Sequence, residues 1–177
     1  LSFTSDIAQA VSAAEVVFVC VGTPAKLSGE ANLVAVERAV REVARHAEDD
    51  LVLVQKSTVP AGTAIRVRQA IRVQNARAAH RVDVVSNPEF LREGRAIEDS
   101  LKPDRILVGA ESDHAFHQMR RLYRPLIDKG CIYIETDVKT AELAKHASNA
   151  FLALKVSFVN ALARVCDLAG ADVVSVA

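Results

Sequence analysis

Five short apolar runs, each of strand length and rich in β-branched residues, recur between stretches with helical spacing. This alternation narrows the possible folds more than any other feature. The runs are residues 16–21, 51–54, 82–86, 105–108 and 131–134. They are nearly continuous rather than alternating, the pattern of strands covered on both faces. Between them, Asn32 can cap a helix whose inner stripe is Val36, Val40, Val43 and Ala47. Thr63 can open a second, carrying Val67, Ala70 and Ile71. Asp113 can cap a third, with Phe116, Met119, Leu122, Tyr123 and Leu126 turned inward. Such alternation predicts an α/β fold, a parallel sheet wrapped by helices.

The last part of the chain breaks the pattern. No Gly or Pro occurs between Cys131 and Ala169, and the stretch from Thr140 reads as one long helix. Thirty helical residues extend ~45 Å, too long for a crossover inside a compact domain. Leu143, Phe151, Leu154, Phe158, Leu162 and Leu168 spread its apolar surface around most of the circumference. A helix of that kind needs partners on several sides, from a second domain or a second subunit.

Composition excludes several classes. Lys plus Arg and Asp plus Glu both number 22, so no net basic field draws in nucleic acid or an anionic membrane. Any phosphate contact must be local. No apolar run approaches the ~18 residues of a membrane span, and no signal peptide is visible at Leu1, which makes the cytoplasm the default expectation. Cys20, Cys131 and Cys166 are far apart and odd in number, supporting neither a disulfide framework nor a metal site. Cys20 and Cys166 read as small core residues.

Ligands of open α/β sheets bind beyond the carboxyl ends of strands, and three unusual loops follow the first three runs. Val21-Gly22-Thr23-Pro24 combines a glycine, which permits close backbone approach, with a hydroxyl; it also reads as a plain turn. Lys56-Ser57-Thr58-Val59-Pro60-Ala61-Gly62-Thr63 offers adjacent hydroxyls ahead of a helix start, fit for a phosphate, a ribose or a water, or simply for capping. Ser86-Asn87-Pro88-Glu89-Phe90-Leu91-Arg92-Glu93-Gly94 carries two carboxylates four apart, which share a face if the segment is helical. Paired carboxylates can be driven to different pKa values, one serving as a base; a solvated acidic face is the alternative. On the long helix, Lys145 and Asn149 share a face among small residues, where a cation and an amide can stabilise an oxyanion.

Taken in order, VVFVCVGTP (16–24), KSTVPAGT (56–63), SNPEFLREGRAIED (86–99), KPDRILVG (102–109) and ELAKHASNAFLALKVSFVNALARVCDLAGAD (142–172) resemble the nucleotide-sugar 6-dehydrogenases of the UDP-glucose/GDP-mannose dehydrogenase family. Within that family the UDP-glucose branch is the nearest likeness. The resemblance implies a partial Rossmann-like doubly wound sheet over residues 1–137 and the start of a central helical, dimer-forming domain over 138–177. It implies NAD as cofactor, no metal, a nucleotide-sugar substrate and a homodimer through the helix from Thr140. Such enzymes oxidise the sugar C6 hydroxyl to a carboxylate in two NAD-dependent steps by way of a cysteine thioester. Carried over by motif, Val21, Gly22, Thr23, Pro24, Ser57 and Thr58 contact NAD, with Glu93 near it. Glu89, Phe90, Leu91, Arg92 and Glu93 line the sugar site with Lys145 and Asn149. Glu89 is then the general base, Thr58 positions the water, and Lys145 and Asn149 stabilise the oxyanions.

Two family motifs are absent from these residues. Neither the Gly-rich GxGxxG turn nor the nucleophilic cysteine in its Gly-rich context occurs, and none of the three cysteines inherits that role. The chain is therefore expected to be a partial one, inactive by itself. Three readings follow: a UDP-glucose 6-dehydrogenase, a sister enzyme acting on another UDP-sugar or GDP-mannose, or a catalytically incomplete nucleotide-binding and dimerisation module.

Overall fold

The computed structural model describes residues 1–177. A short helix α1 (Ile7–Ser12) precedes strand β1 (Val16–Val19), helix α2 (Val34–His46), β2 (Leu51–Gln55), α3 (Thr63–Gln74) and β3 (Val82–Ser86). Helix α4 (Ala96–Leu101), β4 (Arg105–Gly109), α5 (Asp113–Ile127), β5 (Ile132–Thr136), α6 (Val138–Ala169) and a terminal turn, α7 (Val173–Val176), complete the chain.

The strands form one sheet in the order β1-β2-β3-β4-β5. Pairs β1–β2, β2–β3 and β4–β5 are parallel, as the alternation predicts; β3–β4 is antiparallel and joined by a single pair, Ser86↔Gly109. The connections explain the difference. Parallel neighbours need a crossover that traverses a sheet face, as α2, α3 and α5 do. Between β3 and β4 only the six-residue α4 intervenes, and the chain turns back instead. The end of β4 therefore pairs with the carboxyl end of β3, and the start of β4 lies beyond that end, alongside the residues that follow β3.

Both sheet faces are covered. On one, Leu51, Leu53 and Val84 pack with Val36, Val40, Val67 and Ile71 of α2 and α3. On the other, Val52, Val54, Val85, Ile106 and Val108 pack against Ala115 and Met119 of α5. Coverage fades at β5, where Ile132 and Ile134 are exposed, so this strand is not buried on both faces as its composition suggested. Leu122, expected to face inward from α5, is also exposed. Cys166 is buried as expected, but Cys20 is exposed, because it follows the last residue of an edge strand. The capping residues shift by one: Leu33 and Ser112 occupy the N-cap positions, while the Asn32 side chain accepts from the Val34 amide.

Helix α6 is 32 residues long, ~48 Å at helical rise. Asp137 caps it, accepting from the Thr140 amide at 2.9 Å. Its first turn passes so close to the end of β4 that a Cβ on Gly109 would meet Ala141 Cβ at 2.6 Å and the Asp137 carbonyl oxygen at 2.7 Å; only glycine fits there. Val138, Ala141, Glu142 and Lys145 are buried in this first part, whereas beyond it only Cys166 is. Phe151, Leu152, Leu154 and Phe158 are each exposed by more than 60%, so the distal half is an uncovered apolar rod. No helix is long and apolar enough to cross a membrane.

Candidate active site

The three loops singled out above gather at the carboxyl ends of β1, β2 and β3, and they hold one another in place. Ser57 donates its hydroxyl to the Val21 carbonyl at 2.6 Å, and Thr23 donates to the Thr58 carbonyl at 2.9 Å. These hydroxyls thus tie loop to loop. The Thr58 hydroxyl is engaged by no protein group, and neither are the amides of Val21, Gly22, Thr23 and Thr58. A Cβ at Gly22 would meet nothing within 4 Å. Free amides and open space beside a glycine at strand ends fit a dinucleotide, whose polar groups would take these donors.

Helix α6 is strapped onto this rim. The Glu142 carboxylate, buried, accepts from the amides of Gly62 at 2.5 Å and Ala64 at 2.8 Å. It thereby satisfies donors left free at the start of α3, where a carboxylate also meets the positive end of the helix dipole. One turn on, the His146 ring hydrogen-bonds the Val59 carbonyl through Nε2 at 2.7 Å. Between these anchors, Lys145 reaches to Glu89.

There Lys145 Nζ lies 2.9 Å from Glu89 Oε1, with the lysine side chain only 7% exposed. The second Glu89 oxygen accepts from the Leu91 amide at 2.6 Å. Burial alone would raise the Glu89 pKa, but the Leu91 amide and the Lys145 ammonium outweigh it, with Lys56 pulling the same way. The carboxyl lies below the ordinary glutamate value. Phe90 forms the wall beneath, with Arg105 stacked 4.1 Å from its ring centre and Lys145 at 5.3 Å. The antiparallel β4 is what brings Arg105 here.

A cleft of about 270 Å³ opens over these groups, lined by Lys56, Asn87, Glu89, Phe90, Arg92 and Arg105 among others. Residues 87–95 form a loop rather than a helix, so Glu89 and Glu93 do not share a helical face. Glu93 and Leu91 are exposed. Arg92 is held by Asp99 through Nη2 at 2.6 Å, Nε at 3.0 Å and its own amide at 2.8 Å. That ion pair and the Arg92 amide bring the Asp99 carboxyl down to about 2, and it pins the loop. Asn149 follows Lys145 by one turn of α6 and is exposed. Sequence reasoning passed over Lys56, Asn87, Arg105, Glu142 and His146, all of which sit in the quoted motifs beside the residues singled out, without evident roles of their own.

Residues 1–127 match the NAD binding domain of the UDP-glucose/GDP-mannose dehydrogenase family, and residues 139–177 match its central domain. The chain belongs to that family. A UDP-glucose 6-dehydrogenase of Rhizobium meliloti is 47% identical over 100% of this chain and 41% of its own length. Among solved structures, a UDP-glucose dehydrogenase from Pyrobaculum islandicum superposes with a TM-score of 0.89 at 40% identity, covering 99% of this chain and 40% of that one. A GDP-mannose dehydrogenase from Pseudomonas aeruginosa superposes at 0.91 with 31% identity, over 98% and 40%. The chain thus spans about two-fifths of the length of these relatives.

Proposed function

We propose that the complete polypeptide is a UDP-glucose 6-dehydrogenase, oxidising the C6 hydroxyl to a carboxylate in two NAD-dependent steps. The observation that carries this reading is the Lys145–Glu89 pair, a shielded ammonium held against a carboxylate that lines the cleft beside the strand-end loops. The proposal places the end of the NAD binding domain at residue 137, where Asp137 caps α6.

When bound, NAD supplies the hydride acceptor; Val21 to Pro24, Ser57, Thr58 and Glu93 are assigned to hold it. The sugar end of the substrate occupies the cleft over Phe90, framed by Leu91, Arg92 and Glu93. Lys145, with Asn149 one turn away, offers donors to the oxygen on C6 wherever negative charge develops on it. The first oxidation yields an aldehyde and the second a thioester on a cysteine outside these residues. Glu89 then takes a proton from a water held by Thr58; the hydroxyl bonds to the acyl carbon and the thiolate leaves. Overall, the alcohol and one water become a carboxylate, with two hydrides passed to NAD⁺ and three protons released.

An ion-paired Glu89 is a weak base. The same pair supplies a remedy: when Lys145 turns to the C6 oxygen, Glu89 loses its counter-charge and its basicity rises. The reading is tested with the complete polypeptide, NAD⁺ and UDP-glucose, UDP-N-acetylmannosamine or GDP-mannose in turn. NADH formation with UDP-glucose supports it; turnover with another sugar alone assigns a sister activity, and none with any leaves a binding module.

The uncovered distal half of α6 is assigned to a second copy of the chain, packed rod against rod. Phe158→Glu is expected to convert a dimer into monomer by light scattering, and an unchanged mass removes that face from the contact.

A further inference from the structure

Lys56, at the end of β2, is a partly buried ammonium on the floor of the cleft. Its Nζ donates to Asn87 Oδ1 at 3.1 Å, and that oxygen also accepts from the Tyr123 hydroxyl at 2.5 Å. Asn87 is itself fully buried and fixed by donating from Nδ2 to the Leu107 carbonyl at 2.8 Å. The ammonium has three donors, and only this one finds a protein acceptor. No carboxylate lies within ion-pair distance; the one cleft carboxylate in its field, Glu89, is paired with Lys145. Withholding a charge from water without a partner is costly. A rigidly held cation with two vacant donors over a cleft has the form of an anion site.

Resting on the nucleotide-sugar reading above, we propose that Lys56 binds the carboxylate of the sugar-acid product. The substrate brings a neutral hydroxyl to the Glu89–Lys145 end of the cleft, and the reaction leaves an anion there. The diphosphate belongs to C1, across the sugar ring from C6. Lys56 shares the cleft with Glu89 and lies in the field of both Glu89 and Lys145, which places it at the C6 end. Its role is then to hold product, and it sets the strength of product inhibition.

The test is titration calorimetry of the complete polypeptide with UDP-glucuronate and with UDP, which carries the diphosphate but no carboxylate. Lys56→Met keeps the stem and removes the charge; Lys56→Arg restores a cation, and thermal melts check that each variant is folded. The expected result is a loss of about tenfold or more in affinity for the sugar acid, with UDP binding changed less than about twofold and Lys56→Arg recovering much of the loss. Equal weakening of both ligands would assign Lys56 to the diphosphate and overturn the proposal, as would sugar-acid affinity unchanged in Lys56→Met. Should the wild-type polypeptide bind neither ligand, the nucleotide-sugar reading itself fails and this proposal with it.

Discussion

Glu142 is the residue on which the docking of α6 most depends, and Glu142→Ala is the sharpest perturbation of the fold. Its carboxylate accepts two amide hydrogen bonds from the start of α3 at 2.5 and 2.8 Å, from a site 3% exposed. Hydrogen bonds to charged groups contribute about 1.5–3 kcal/mol each. Two on one carboxylate do not sum fully, and alanine also relieves the cost of burying the charge. Losing an ordinary helix cap costs about 0.5–2 kcal/mol, which sets a floor. The expected loss is about 2–4 kcal/mol, a large share of a typical domain's stability. Urea unfolding of the complete polypeptide gives the total, and amide exchange at Gly62 and Ala64 localises it. Glu142→Gln, retaining one acceptor oxygen, is expected to fall between wild type and alanine. A loss below about 0.5 kcal/mol in Glu142→Ala, in the range of an ordinary surface change, would show that the strap does not hold α6.

Lys145→Met is expected to lower turnover about a hundredfold to a thousandfold, the cost of one oxyanion donor, and steady-state NADH production reads it directly. Glu89→Gln should slow acyl hydrolysis more than the first oxidation, so that intact mass spectrometry after mixing shows a covalent sugar adduct; its absence removes Glu89 from the base role. Asp99 has a folded pKa of about 2, below its ordinary 3.8. Its stabilisation of the 87–95 loop is therefore complete above pH ~4 and is lost as pH falls toward ~2. Exchange protection of the Arg92 amide should fade across that window in wild type, and be low and flat in Asp99→Asn.

Much of the scaffold was legible in the chain. The run at 51–54 is continuously apolar because β2 lies inside the sheet, and the structure buries all of it; in the 82–86 run Val84 to Ser86 are buried while Val82 and Asp83 are half-buried. Strand direction was not legible: the β4 run looks like its neighbours, and only the absence of a full crossover helix before it foretells the reversal. Ile132 and Ile134 misled because an apolar strand reads as covered whether or not a neighbour covers it. In the site, Glu89 and Lys145 stood out by motif, and the structure brings them together. The strap and the floor did not, since Glu142 meets partners 80 and 78 residues away and Lys56 meets Asn87 31 residues away. No local periodicity encodes such pairs. Arg105 entered the site only through the reversal of β4, so it was illegible for the same reason.

The central claim is that Glu89 and Lys145 serve one oxidation at C6 of UDP-glucose. Its most direct test is the complete polypeptide with limiting UDP-glucose and excess NAD⁺, following NADH to completion and identifying the product by mass. Two NADH per sugar, with UDP-glucuronate as product, is the result predicted; on the time scale of wild-type turnover Lys145→Met should form little NADH, and Glu89→Gln should stop after a burst stoichiometric with enzyme, with no UDP-glucuronate released. One NADH per sugar with an aldehyde as product, or full activity in both variants, would contradict it.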